Sequence, residues 1–169
     1  MSVAGHPSAI WARAFRLLYA LLGLLDPLIR AWHRTFGLGN LVELRTVGHR
    51  SGRRSTLLGL LRANGRWYLG HPNGAASWTR NLGTDMLAEL VLRGAPPLAI
   101  RAVLLERDEE REDAIRATWT QHPFPGDLIY SLARDHVRAR GVYFRVEPAV
   151  AGADDAPGEL GPPPSRTPG

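Results

Sequence analysis

The chain has 169 residues, enough to bury the core of one domain. It contains no cysteine, which excludes a disulfide framework, thiol chemistry and cysteine-ligated metal. Its net charge of +5 comes from arginine alone, since lysine is absent. With abundant Ala, Gly and Pro, this basicity reads in part as GC-rich coding. No helix-turn-helix, zinc-finger spacing or RNA-binding aromatic motif accompanies it, so nucleic acid is not an expected partner. Residues 1–7 carry no basic stretch of the kind that opens a secretory signal, and a reducing cytoplasm is the expected setting.

The first predicted element is a helix over Ser8 to Phe36. Trp11, Phe15, Leu18, Leu22, Leu25, Ile29 and Trp32 recur at alternating spacings of four and three. Ile10, Leu17, Leu21, Leu24 and Leu28 widen the apolar stripe, and Arg13, Arg16, Arg30 and Arg34 mark a more polar side. Pro27 removes a backbone donor and is expected to kink or split the helix, with Asp26 capping a second piece. The longest apolar run, Leu17 to Leu25, is far shorter than the roughly 20 residues of a transmembrane helix. Three occupants stay open for this stripe: the chain's own domain, a peripheral membrane contact, and a partner helix or homodimer.

Gly37 to Asn40 stops the helix. Strand one is expected over Leu41–Val47, with Val42, Leu44 and Thr46 on one face. A basic turn follows, then strand two over Ser55–Ala63. Asn64-Gly65 signals a type I′ hairpin into strand three, Arg66–Gly70. His71-Pro72-Asn73-Gly74 re-aims the chain into a short helix over Ser77–Leu82, capped by Ser77. Strand four is expected over Asp85–Leu92 and strand five over Leu98–Leu105. A helix over Asp108–His122 opens with acids at its positive end. A further helix over Asp127–Arg138 precedes strand six, Gly141–Pro148. Beyond it the sequence has no periodicity and reads as a disordered tail. Hairpin-linked strands with few helices between them predict an antiparallel sheet closed into a small barrel, an open sheet on a helix being the other architecture.

The chemistry-bearing residues are few. There is no G-x-S-x-G elbow and no H-x-x-x-H pair with an acid between. The turn around Gly48, His49, Arg50, Ser51, Gly52, Arg53 and Arg54 offers backbone N–H groups and guanidinium groups to an anion. It reads equally as an ordinary hairpin with solvated arginines. If strands two and three pair, this turn and the His71–Gly74 turn lie at the same barrel end, side by side. That arrangement brings the arginines near Asn73, Gly74, Trp78 and Asn81, with amides for a heterocycle edge and a ring for stacking.

The runs RTVGHRSGRRSTLL, NGRWYLG and NGAASWTRNL, in that order, resemble the deazaflavin-dependent nitroreductase family. The family's usual pattern is T-x-G-R-[RK]-[ST]-G-x-x-R, then a glycine turn and W-x-x-N-L. The resemblance extends over roughly Ala12 to Pro148. It implies a split β-barrel of the FMN-binding, pyridoxamine-phosphate-oxidase-like kind, binding coenzyme F420 and transferring a hydride to a quinone-like or nitroaromatic acceptor. By position, Gly48, His49, Arg50, Ser51, Gly52 and Arg54 would hold the cofactor's phosphate and acidic tail. His71, Pro72, Asn73 and Gly74 would line the deazaflavin ring, with Trp78 and Asn81 in the W-x-x-N-L element. Phe124 and Tyr130 would face the substrate, and Tyr130 or water would supply a proton. His49 stands where Arg is usual, the turn is one residue shorter before Arg54, and the stretch from Asn73 to Trp78 is compressed.

The expected organisation is an N-terminal amphipathic helix over residues 1–37, a six-stranded barrel over 38–148 and a tail over 149–169. The expected function is that of an F420-dependent oxidoreductase without a metal. FMN in place of F420, and a non-catalytic protein binding a flavin, haem or a fatty acid, are the alternatives.

Overall fold

The computed structural model describes residues 6–48, 52–74, 76–106, 108–122 and 126–149. Among them the six strands are β1 (Leu41–Gly48), β2 (Gly52–Ala63), β3 (Arg66–His71), β4 (Leu87–Val91), β5 (Leu98–Leu104) and β6 (Val142–Pro148). The helices are α1 (His6–Phe36), α2 (Ser77–Thr84), α3 (Glu109–Gln121), α4 (Gly126–Leu132) and α5 (Arg134–Arg140). The strands close into an antiparallel barrel in the order β1-β2-β3-β6-β5-β4, as the sequence pattern predicts. The stretch expected to be a tail lies, from residue 150 on, outside the described residues.

Alternation along the strands divides the buried side chains into two cores. Val42, Leu44, Leu58, Leu60, Leu69, Ile100 and Phe144 face the barrel interior. Leu61, Tyr68 and Tyr143 face the other way, against α3, α4, α5 and Phe15 of α1. The β2–β3 hairpin turns through Asn64 (φ 50°) and Gly65 (φ 72°), the positive dihedrals that a type I′ turn demands. Glu110 of α3 pins the helical layer to the sheet, bonding Arg66 (2.9 Å), Tyr68 (3.0 Å) and Arg145 (2.8 Å). At the other end of α3 the Gln121 amide bonds both the N–H and the C=O of Arg62, at 2.9 and 2.5 Å.

Four local expectations are corrected. First, α1 runs uninterrupted through Pro27. Asp26 caps no second helix; it pairs with Arg30 at 2.5 Å instead. Second, β2 begins at Gly52, because the ladder continues until Gly48 pairs with Gly52. Arg53 and Arg54 are therefore strand residues. Third, Ser77 is the first residue of α2 and does not cap it; the N-cap is Ala76, without a side-chain bond. Thr79 binds the chain entering the helix, donating to the carbonyls of Gly74 (3.0 Å) and Ala76 (2.7 Å). Fourth, the helix expected over Asp127–Arg138 is two helices, α4 and α5, that meet at Ala133.

Gly70 sits where β3 lies against Tyr143 of β6, and a Cβ there would overlap the Tyr143 ring, which is fully buried. Gly70→Ala should therefore lower stability by about 1–3 kcal/mol through overpacking. Gly83→Ala, in α2 where nothing lies within 4 Å, should be neutral or stabilising. Thermal unfolding of the two variants measures the contrast, and equal effects would contradict this packing.

Candidate active site

The site forms at the barrel mouth where β1 and β3 end. The two strands that frame it differ in length. β2 has 12 residues and β3 has six. Leu60 pairs with Leu69, so β2 continues to Gly52 with no β3 beside it. The β1–β2 hairpin thus overhangs the His71 end by roughly 20 Å of extended chain. The two polar turns share an end of the barrel, as the hairpin argument predicts, but not a level. The side-by-side arrangement is corrected for that reason.

Helix α2 fills the offset. It crosses the mouth from β3 to β4 and drives Trp78 and Leu82 into the interior core. Its Asn81 amide donates to Thr46 Oγ1 of β1 at 3.2 Å. Thr46 pairs across the ladder with Arg54, so the two side chains share a face. That face continues the barrel interior past its last apolar layer, through Val42, Leu44 and Leu58. Arg54, exposed, stands at the rim next to the buried Thr46. Thr46 escapes sequence reasoning because its role depends on cross-strand register.

The second turn is tightly held. Gly74 adopts φ 60°, and a Cβ on it would lie 2.5 Å from Val142 Cγ2. Asn73 donates its backbone N–H to His71 Nδ1 (3.2 Å) and its amide to the Ala12 carbonyl (3.5 Å). His136 Nε2 donates to Asn73 Oδ1 at 2.5 Å. His71 and Pro72 are buried. Trp78 is buried too, packing against Phe144 with centroids 6.1 Å apart. Its ring serves the core, while Asn73, Gly74 and Asn81 are half-buried and Arg54 is exposed. His49, Arg50, Ser51 and Phe124 lie outside the described residues.

Helix α1 brings residues that the motifs do not identify. Tyr19 packs on His71 with centroids 4.6 Å apart, and Phe15 stacks on His136 at 5.8 Å. Tyr19 Oη and Tyr130 Oη are 2.8 Å apart. Tyr130 also packs against His122 at 4.7 Å, and His122 Nδ1 donates to the Thr118 carbonyl at 2.6 Å. Aromatic spacing on α1 hinted at this layer, but nothing in the spacing singles out Tyr19. Burial raises the pKa of both phenols, so each keeps its proton through the neutral range. Burial also pulls His71 down to about 4, and lowers His122 and His136. The cluster thus consists of neutral imidazoles and neutral phenols, with the exposed Arg54 at the rim of the mouth.

The sequence matches no family model and no curated protein. Solved structures do match. A conserved hypothetical protein from Mycobacterium tuberculosis aligns with TM-score 0.50 at 15% identity, over 73% of this chain and 79% of that one. HutZ, the heme storage protein from Vibrio cholerae, aligns with TM-score 0.50 at 16% identity, over 74% of this chain and 90% of that one. An F420-H2 dependent reductase aligns with TM-score 0.47 at 21% identity, over 64% of this chain and 94% of that one. At such identities the first two show the fold alone: this barrel is a split barrel.

Two outcomes follow from the geometry. Tyr130→Phe removes one hydroxyl and strands the buried Tyr19 Oη, which should cost about 1–3 kcal/mol. Tyr19→Phe/Tyr130→Phe removes both partners and should recover part of that loss. Denaturant melts of the single and double variants measure the coupling, and strict additivity would contradict the pair. For His71, the unfolded imidazole binds a proton below its ordinary 6.5 that the folded one refuses until about 4. Its contribution is complete above pH 6.5 and lost as pH falls towards 4, on the order of 3 kcal/mol. His122 and His136 slope the same way. His71→Gln should therefore flatten the stability curve over that window without levelling it, and an unchanged slope in urea melts would contradict the burial.

Proposed function

We propose that the chain is a deazaflavin-dependent oxidoreductase that transfers a hydride between F420 and an organic acceptor, quinone-like or nitroaromatic. One observation carries the reading. Arg54, Thr46 and Asn81 converge at one mouth of a split barrel, beside a hairpin tip whose sequence resembles the family's phosphate-holding turn. The next strand end, at the same mouth, supplies the His71–Gly74 turn, where the family lines its ring.

The described residues fit an acidic, phosphorylated cofactor. Arg54 brings an exposed guanidinium to the rim. The Gly48–Gly52 pair is the last of the β1–β2 ladder, and the sequence between the two glycines is His49, Arg50 and Ser51. A guanidinium-rich rim suits a tail bearing several carboxylates and a phosphate better than FMN's single phosphate. F420, when bound, supplies the hydride. The chain's own residues bind, orient and exclude water. Gly74, pressed against Val142, fixes the turn that would flank the ring. His71 stays neutral and adds no charge behind it. Tyr130 holds a proton at Oη, and Tyr19 Oη, 2.8 Å away, holds a second. That pair is the proton store for the reduced acceptor.

Titration of the purified protein with F420H2, followed by deazaflavin fluorescence, tests the reading. Micromolar binding is expected, weakened by about 1.5–3 kcal/mol in Arg54→Ala, roughly 10–150-fold in Kd. No binding, or an affinity indifferent to Arg54, would overturn it. Tight binding of FMN without F420 would move the activity to an FMN-dependent one, and binding without turnover of quinones or nitroaromatics would leave a carrier.

A further inference from the structure

One large feature has a face that takes no part in the barrel mouth. Helix α1 is 31 residues long, about 46 Å, and it uses only one side to pack. Phe15 and His33 are buried, and Tyr19 reaches His71. At about 100° per residue, Leu17, Leu21, Leu24 and Leu28 project from a different arc, and that arc stays open. Leu17 is 73% exposed, Leu24 78% and Leu28 67%. Leu21 and Ile10 continue the stripe, and Trp32 and Phe36 extend it at the C-terminal end, each more than half exposed. Aligned leucines along one helix flank form a contiguous apolar patch, which isolated exposed leucines do not.

We propose that this flank of α1 lies in the plane of an anionic membrane surface. The charges beside the stripe identify the occupant. The helix carries four arginines and one acid, and that acid, Asp26, is held by Arg30 at 2.5 Å. Arg13, Arg16 and Arg34 are exposed, and the helical repeat sets them on the arc between the leucine stripe and the packed face. Leucines immersed in the acyl boundary would leave these guanidinium groups at headgroup level, where each attracts anionic lipid. A second copy of α1 on the same stripe would instead bring arginines together with no free acid on the helix to oppose them. No described helix is long and apolar enough to cross a membrane. An in-plane helix needs no such length, because its backbone bonds are satisfied within the helix and only one side leaves water. This inference does not depend on which cofactor the barrel binds.

Co-sedimentation of the full chain with vesicles of phosphatidylglycerol and phosphatidylcholine in equal parts tests it. The chain should pellet with these vesicles, less so as salt is raised. Leu24→Glu/Leu28→Glu should weaken the partition on the order of a hundredfold, with melting unchanged because both side chains are exposed. Arg13→Gln/Arg16→Gln should weaken it about tenfold on these vesicles and not on pure phosphatidylcholine. No pelleting, or pelleting indifferent to the leucine pair, would overturn the proposal. So would a dimer in analytical ultracentrifugation that Leu24→Glu/Leu28→Glu dissolves while vesicles capture nothing.

Discussion

The mismatch between a 12-residue β2 and a six-residue β3 is the constraint from which the rest of the mouth follows. A barrel must satisfy the backbone of every strand it closes. The far half of β2 has no β3 to pair with, so it pairs with β1 alone down to Gly52. That leaves an overhanging two-stranded ribbon with one face turned over the barrel end. An apolar face left there would be exposed. α2 covers it, inserting Trp78 and Leu82 into the interior and tying Asn81 to Thr46. Beyond that contact the ribbon changes character. The face that carries Val42, Leu44 and Leu58 inside the barrel carries Thr46 and Arg54 at its rim. The polar, arginine-bearing rim of the mouth is the continuation of a core strand past the point where a core exists.

The second layer depends on α1. The outward core of α3, α4 and α5 is completed by Phe15. From the same helical face Tyr19 meets both His71 and Tyr130. Burying three imidazoles and two phenols costs the charged form of each, so the cluster is kept neutral. The hydrogen bonds His136–Asn73 and Tyr19–Tyr130 satisfy polar atoms that would otherwise be stranded. Stability and site geometry are thus the same set of contacts, and loosening α1 would disturb both.

Much of this was legible in the sequence. Alternation in Leu41–Val47 puts Val42, Leu44 and Thr46 on one face, which the structure turns inward, and Asn64-Gly65 identifies the β2–β3 hairpin. Those signals are local, written within a few residues. Arg53 and Arg54 read as turn residues because charged side chains and glycines look alike whether a ladder has ended or overhangs. Pro27 read as a break because its missing donor is a local cost, whereas the packing that keeps α1 continuous is not. The uneven pairing of β2 and β3, the Thr46–Asn81 bond and the Tyr19–Tyr130 pair are properties of register and of elements more than thirty residues apart. No periodicity carries them. Trp78 was legible as a motif residue, and its burial against Phe144 shows why an aromatic there is useful to the fold itself.

The central claim is that the ribbon-and-α2 mouth binds an acidic redox cofactor. Hydrogen–deuterium exchange of the full chain with and without F420 tests it most directly, because it locates binding whatever the turnover. The account predicts slowed exchange over β1–β2 near residues 46–56 and over the His71–Thr84 segment. Protection confined to the cleft lined by Asp108, Glu112 and Arg138, or none at saturating cofactor, would contradict it.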